Sequence, residues 1–169
     1  MKNPRYMKLK KLELSKDFED FIRLLNQHRV RYLIVGGYSV AFHGYPRYTK
    51  DIDLLIAVAP DNAKRMVRVI NEFGFASLNL QEKDFLEKEM IIQIGMEPNR
   101  VDIICGIRGF QFDEYYERRE EFLNGDLVLN FVDKAGLKLL KELAGRTKDL
   151  ADLEELRLID LNDKDSQGR

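Results

Sequence analysis

The sequence predicts an α/β (α+β) domain: a mixed β-sheet flanked by helices, with a C-terminal helical region added to it. Three observations carry the prediction. Short runs rich in β-formers, RYLIV (31–35) and RVDIIC (100–105), are interspersed with longer stretches of helical period. The chain has 169 residues and is 44% hydrophobic, enough for one sizeable core. No internal repeat or low-complexity linker divides it. The expected boundaries are 1–132 for the α/β core, 133–160 for a C-terminal helix packed on it, and 161–169 for a disordered tail.

The elements follow in order. Phe18, Phe21, Ile22, Leu24 and Leu25 recur at helical spacing across 16–28, with Ser15 as N-cap. RYLIV is a buried strand closed by Gly36 and Gly37, and a helix starts over 38–43. Residues 45–50, with Pro46, form a loop; 52–58 is a strand; Pro60 and Asp61 open a helix reaching Phe73. A further strand is expected over 75–80, while 84–88 carries no clear pattern. MIIQIGM (90–96) and 100–105 form a hairpin turned by Pro98 and Asn99. Residues 112–122 read as helical or irregular, 127–132 as a short strand, and 134–156 as an amphipathic helix breaking near Gly145.

Composition excludes several classes. Lys and Arg (28) nearly balance Asp and Glu (29), so no global charge marks a nucleic-acid or membrane-surface binder. No apolar run approaches the ~18 residues of a membrane span, and the single cysteine, Cys105, fits a buried thiol in a reducing compartment. A cytoplasmic protein without a membrane partner is expected. The basic start, with Lys2, Arg5, Lys8, Lys10 and Lys11, reads as a frayed terminus.

The chemistry lies in GGYSVAFHGYPRYTKDIDLLI, residues 36–56. Residues two apart on a strand share a face, so Asp51 and Asp53 present two carboxylates about 5 to 7 Å apart while Ile52 turns into the core. Their repulsion asks for a cation, and Mg²⁺ is the hard oxygen-seeking ion usually held by a few carboxylates and substrate phosphates. Asp102, a charge inside an otherwise apolar strand, is the third candidate ligand. The competing readings are a solvated strand end for Asp51 and Asp53 and a salt bridge from Asp102 to Arg100 or Arg108. Gly36 and Gly37 suit either an anion's approach to backbone N–H groups or a tight turn. Ser39 fits a phosphate contact or a cap, and Arg47 and Lys50 offer loop cations beside the acids.

A strand, Gly36-Gly37, Asp51-x-Asp53 and a later strand Asp102 together resemble the DNA polymerase β-like nucleotidyltransferase superfamily. GGYSVAFHGYPRYTKDIDLLI with KELAGRTKDLADLEEL is most similar to its minimal, toxin-type (abortive-infection-like) bacterial branch. The resemblance covers residues 32–156. It implies an enzyme that moves a nucleoside monophosphate from a nucleoside triphosphate to an acceptor hydroxyl. Asp51, Asp53 and Asp102 would be catalytic and would bind two Mg²⁺ ions, with Mn²⁺ as a substitute; Gly36, Gly37 and Ser39 would hold the triphosphate. Lys141, Arg146, Lys148, Asp149 and Asp152 match a basic-acidic pattern that the branch carries beside its active site, and the three cations join Arg47 and Lys50 as nucleotide-binding candidates. A solvated helix face with a Lys148–Asp152 ion pair is the alternative. His43 reads as structural; Tyr38 and Tyr48 read first as packing residues, with stacking on a base as the alternative.

The implied partners are a nucleoside triphosphate, an acceptor such as a tRNA 3′ end, and a cognate antitoxin. Two other functions compete: a non-catalytic nucleotide-binding or interaction module of the same fold, and a metal-dependent phosphohydrolase.

Overall fold

The computed structural model describes residues 11–168; Lys2, Arg5, Lys8 and Lys10 of the basic start, and Arg169, lie outside the described residues. Helix α1 (Lys16–Gln27) begins where the Ser15 hydroxyl accepts the Phe18 N–H at 3.2 Å, with Asp17 and Glu19 favouring the positive end of the helix dipole. Strand β1 (Tyr32–Val35) follows, buried throughout, and helix α2 (Gly36–Phe42) starts immediately after it. Strand β2 (Ile52–Ile56) leads to helix α3 (Pro60–Ile70), with Pro60 in its first turn.

The hairpin β3 (Met90–Ile94) and β4 (Val101–Cys105) pairs antiparallel as expected. Helix α4 (Phe112–Glu117) precedes a second antiparallel hairpin, β5 (Glu120–Asn124) and β6 (Leu127–Phe131). Helices α5 (Lys134–Ala144) and α6 (Thr147–Gln167) close the described chain. Gly145 separates them at φ 64°, the left-handed conformation that ends a helix cheaply only with glycine.

The six strands form one mixed sheet in the order β3-β4-β2-β1-β6-β5. Alternation gives it two apolar faces. Tyr32, Ile34, Ile52, Leu54, Ile56 and Ile103 pack with Phe18, Phe21, Ile22 and Leu25 of α1 and Met66, Val69 and Ile70 of α3. On the opposite face Leu33, Val35 and Leu55 meet Leu137 and Leu140 of α5 and Leu156 and Ile159 of α6. Cys105 is buried, and burial pushes its thiol up to about 11, which leaves it inert at neutral pH.

Three expectations are corrected. Residues 75–80 are not a strand: after α3 the chain runs through a wide helical turn (Asn71–Phe75) with Gly74 at φ 105°, then a 3₁₀ turn (Ala76–Leu78). Phe75 stacks on Phe73 at 5.8 Å there, and β3 holds that edge of the sheet. Residues 112–122 hide strand β5, whose partner lies just past Asn124-Gly125; Gly125, at φ 67°, supplies the positive φ of a tight hairpin. Residues 161–167, expected as a disordered tail, continue α6 as helix, since no glycine or proline interrupts NDKDSQ before Gly168.

Candidate active site

Strands β2 and β4 run parallel with Ile52 opposite Val101 and Asp53 opposite Asp102, so Asp53 and Asp102 stand side by side. They point to the sheet face covered by α5 and α6, because Leu55 and Val35 on the same face belong to that core. Asp51 lies two residues before Asp53, and extending the register by one residue sets it opposite Arg100. All three carboxylates therefore gather at one end of two neighbouring strands.

The cation that the acids call for is supplied in part by the chain itself. The Arg100 guanidinium donates from Nη2 to Asp51 Oδ2 at 2.7 Å and from Nε to Asp102 Oδ1 at 2.9 Å, with a longer Nη2 contact to Asp102 Oδ2 at 3.3 Å. Of the two arginines expected near Asp102, Arg100 forms the pair; Arg108 instead pairs with Glu89 at 3.2 Å on the surface. Among the described residues no three His, Cys, Asp or Glu side chains converge as a ready-made ion cage, and Arg100 occupies the space between Asp51 and Asp102.

Asp53 differs from its neighbours. Its carboxylate accepts no hydrogen bond and joins no ion pair among the described residues. Burial, then the charges of Asp102 and Asp51, push its pKa up to about 6, against the opposing pull of Lys141 and Lys148. Burial also raises the pKa of Asp51 despite Arg100, and Asp51 Oδ1 is buried without a partner. The unpaired Asp53 and the orphaned Oδ1 of Asp51 are hard oxygen donors of the kind a divalent cation takes, while Asp102 is held by Arg100 and would have to share its carboxylate.

The glycine pair explains how Asp53 is accommodated. Gly36 has φ +66°, and a Cβ there would lie 2.0 Å from Asp53 Oδ2; at Gly37 it would lie 2.8 Å from Thr49 Oγ1 and 3.5 Å from Arg47 Nη2. The missing side chains admit the carboxylate and the 45–50 loop against the turn. Gly36→Ala combines a left-handed alanine with this clash, so it is expected to lower unfolding stability by about 2–4 kcal/mol, read as a fall in the urea midpoint with unchanged slope.

Behind the acids lies an ionic network with a buried centre, Lys141, Asp149 and Asp152. Lys141 Nζ contacts Asp152 Oδ2 at 2.8 Å and Asp149 Oδ1 at 3.2 Å; Arg47 reaches Asp152 Oδ2 at 3.0 Å, and Arg146 Nε reaches Asp149 Oδ2 at 2.7 Å. Burial alone would raise the Asp149 pKa, but Arg146 and Lys141 outweigh it and hold the carboxyl below its usual range. The network ties the 45–50 loop to the α5–α6 junction. It also corrects one expectation: Asp152 pairs with Lys141 and Arg47, not with Lys148, which stays exposed.

The remaining predicted residues divide. Arg146 and Lys148 sit at the α5–α6 junction, and the charge of each reaches Asp53. Lys50 is turned toward Glu97 at 3.3 Å, on the rim of the β3–β4 turn. Ser39 is fully buried and its hydroxyl has no partner, so it neither caps α2 nor faces solvent. His43 is structural, its Nε2 2.7 Å from the Val132 carbonyl. Tyr38 packs edge-on against Phe18, but Tyr48 is 77% exposed, which corrects its reading as a packing residue. Two surface clefts of about 980 and 940 Å³ lie elsewhere, and neither is lined by Asp51, Asp53 or Asp102.

Neither a protein-family model nor a curated protein matches the chain. A solved structure does: an antigenic nucleotidyltransferase-like protein from Paracoccidioides brasiliensis, 14% identical, covering 85% of this chain and 77% of its own, with a TM-score of 0.51. The fold is nucleotidyltransferase-like. At that identity the likeness concerns the arrangement of sheet and helices. Within this nucleotidyltransferase-like fold the acids occupy the starts of β2 and β4, beside the end of β1 where Gly36 turns into α2. Among the described residues no helix is long and apolar enough to cross a membrane.

Proposed function

We propose that the chain is a divalent-metal-dependent nucleotidyltransferase of the toxin-type branch, transferring a nucleoside monophosphate from a nucleoside triphosphate to an acceptor hydroxyl with release of pyrophosphate. The observation that carries this reading is the register that sets Asp53 beside Asp102, with Asp51 on the same face, in a nucleotidyltransferase-like fold. Asp51, Asp53 and Asp102 would hold Mg²⁺ or Mn²⁺. Such ions, when bound, neutralise charge on the attacking and leaving oxygens of an in-line displacement.

The protein's own groups supply the rest. Asp53, with its pKa pushed up to about 6, is mostly ionised at neutral pH, and in this reading Asp102 takes the proton of the attacking hydroxyl. Arg100 fixes the orientation of Asp51 and Asp102 through its three contacts. Arg146 and Lys148, with Arg47 beside Gly37, give the site a positive rim for a triphosphate, and the buried Lys141 adds field rather than direct contact. The acceptor is the finer part of the proposal: a tRNA 3′ end, with a cognate antitoxin as regulator, or else a small-molecule or protein hydroxyl.

The test is to incubate the protein with each labelled triphosphate, Mg²⁺ and total cell RNA, then with small-molecule and protein acceptors. Pyrophosphate release matched by label in one acceptor fraction is the expected result. Binding without release would favour a non-catalytic module, and nucleotide release without a labelled acceptor would favour a phosphohydrolase.

A further inference from the structure

Helix α6 carries two apolar faces. Leu153, Leu156 and Ile159 are buried, the last two in the core between the sheet and α5, yet Leu150, Leu158 and Leu161 are 51%, 40% and 58% exposed among the described residues. At about 100° per residue, Leu150, Glu154, Arg157 and Leu161 fall on one outward stripe, with Ala151 and Leu158 along its flank. The spacing of four, three and four is that of a helix-pairing seam.

We infer that this face pairs antiparallel with α6 of a second copy of the chain. A two-fold axis crossing the helix between Glu155 and Leu156 sets Leu150 opposite Leu161 of the second copy, and Glu154 opposite its Arg157. Both relations hold twice, as an isologous interface requires. The seam is thus two leucine layers enclosing two ion pairs, with Ala151 and Leu158 closing one side. A parallel pairing in register would set Glu154 against Glu154 and Arg157 against Arg157, which like-charge repulsion disfavours. Charge complementarity of the stripe with itself is what selects a second copy over an unrelated partner. Arg157 now contacts Glu142 at 3.3 Å, a pair with both members about half exposed, and exchanging it for Glu154 of the second copy costs little. A single helix pair lies at the small end of specific interfaces, so the dimer is weak and depends on concentration.

Sedimentation equilibrium over a wide concentration range tests this without reference to the nucleotide reading. The wild-type chain is expected to pass from monomer to dimer. Glu154→Arg, which faces two arginines with two arginines, is expected to weaken association at least about tenfold, and Glu154→Arg with Arg157→Glu to restore it. Both positions are exposed, so the melting curves of the dilute proteins should stay close to wild type. A chain that is monomeric throughout, a dimer indifferent to Glu154→Arg, or a double variant that fails to recover would each overturn the pairing.

Discussion

Asp53→Asn is expected to stop metal-dependent turnover, by about three orders of magnitude or more, while making the protein more stable at neutral pH. The two effects share one cause. A largely desolvated carboxylate beside two other acids, with no hydrogen bond of its own, destabilises the fold when ionised, and in the proposed reading the same group is a metal ligand. The pKa of Asp53 in the folded chain is about 6, against about 4 for an unfolded aspartate, so the folded state binds the proton more tightly. Stability from this group is complete below about pH 4 and is lost as pH rises through about 6. At pH 7 the penalty is about 2–3 kcal/mol, and the neutral amide removes most of it. Thermal melts in chelator should therefore show Asp53→Asn unfolding roughly 4–8 °C above wild type at pH 7.5, with the gap narrowing toward pH 4. An equal gap at both pH values would mean that repulsion at Asp53 is not its source.

Lys141→Met is expected to have the largest effect away from the acids at the strand ends. The Lys141 side chain is 7% exposed and lies between Asp149 and Asp152, themselves almost completely buried. Removing its charge leaves each acid one cation, Arg146 for Asp149 and Arg47 for Asp152, so the loss falls near the lower end of that for a broken buried pair, about 3 kcal/mol. Asp53 also loses the first of the two lysines that hold its pKa down, so turnover at neutral pH should fall together with stability. Lys148→Met is the contrast. Lys148 is exposed, so its loss should leave unfolding stability within about 0.5 kcal/mol of wild type while weakening nucleotide binding.

Much of the site was legible in the sequence because it depends on short-range rules. Asp51 and Asp53 share a face through the period of two, and Asp102 stood out as a charge among apolar strand residues. The Gly36-Gly37 turn was visible, but its use was not: a Cβ at Gly36 would strike Asp53, a contact made only when β1 and β2 pair. Arg100, two residues away on the same strand, is a partner the sequence itself offers Asp102. Its second contact, to Asp51, follows from the β2–β4 register, which no local pattern encodes. The Lys141 network was hidden for the same reason, since it joins a loop at 47 to a helix face at 149–152.

The fold shows the same division. Ser15 as a cap and Gly145 as a helix end are local signals, and both hold. Strand β5 exists because β6 offers it a partner across Gly125, and the polar run 161–167 remains helical as an extension of an anchored α6. The strand expected over 75–80 failed in the opposite sense: its residues suit a sheet, but the sheet ends at β3.

The most direct test of the central claim, that three aspartates serve a common divalent cation, is the shift in unfolding midpoint on titrating Mg²⁺ or Mn²⁺ into metal-free protein at pH 7.5. Saturable stabilisation of the wild type, absent in Asp53→Asn and in Asp102→Asn, is the predicted result. A wild-type midpoint indifferent to both ions, or a shift that persists unchanged in the two variants, would contradict it.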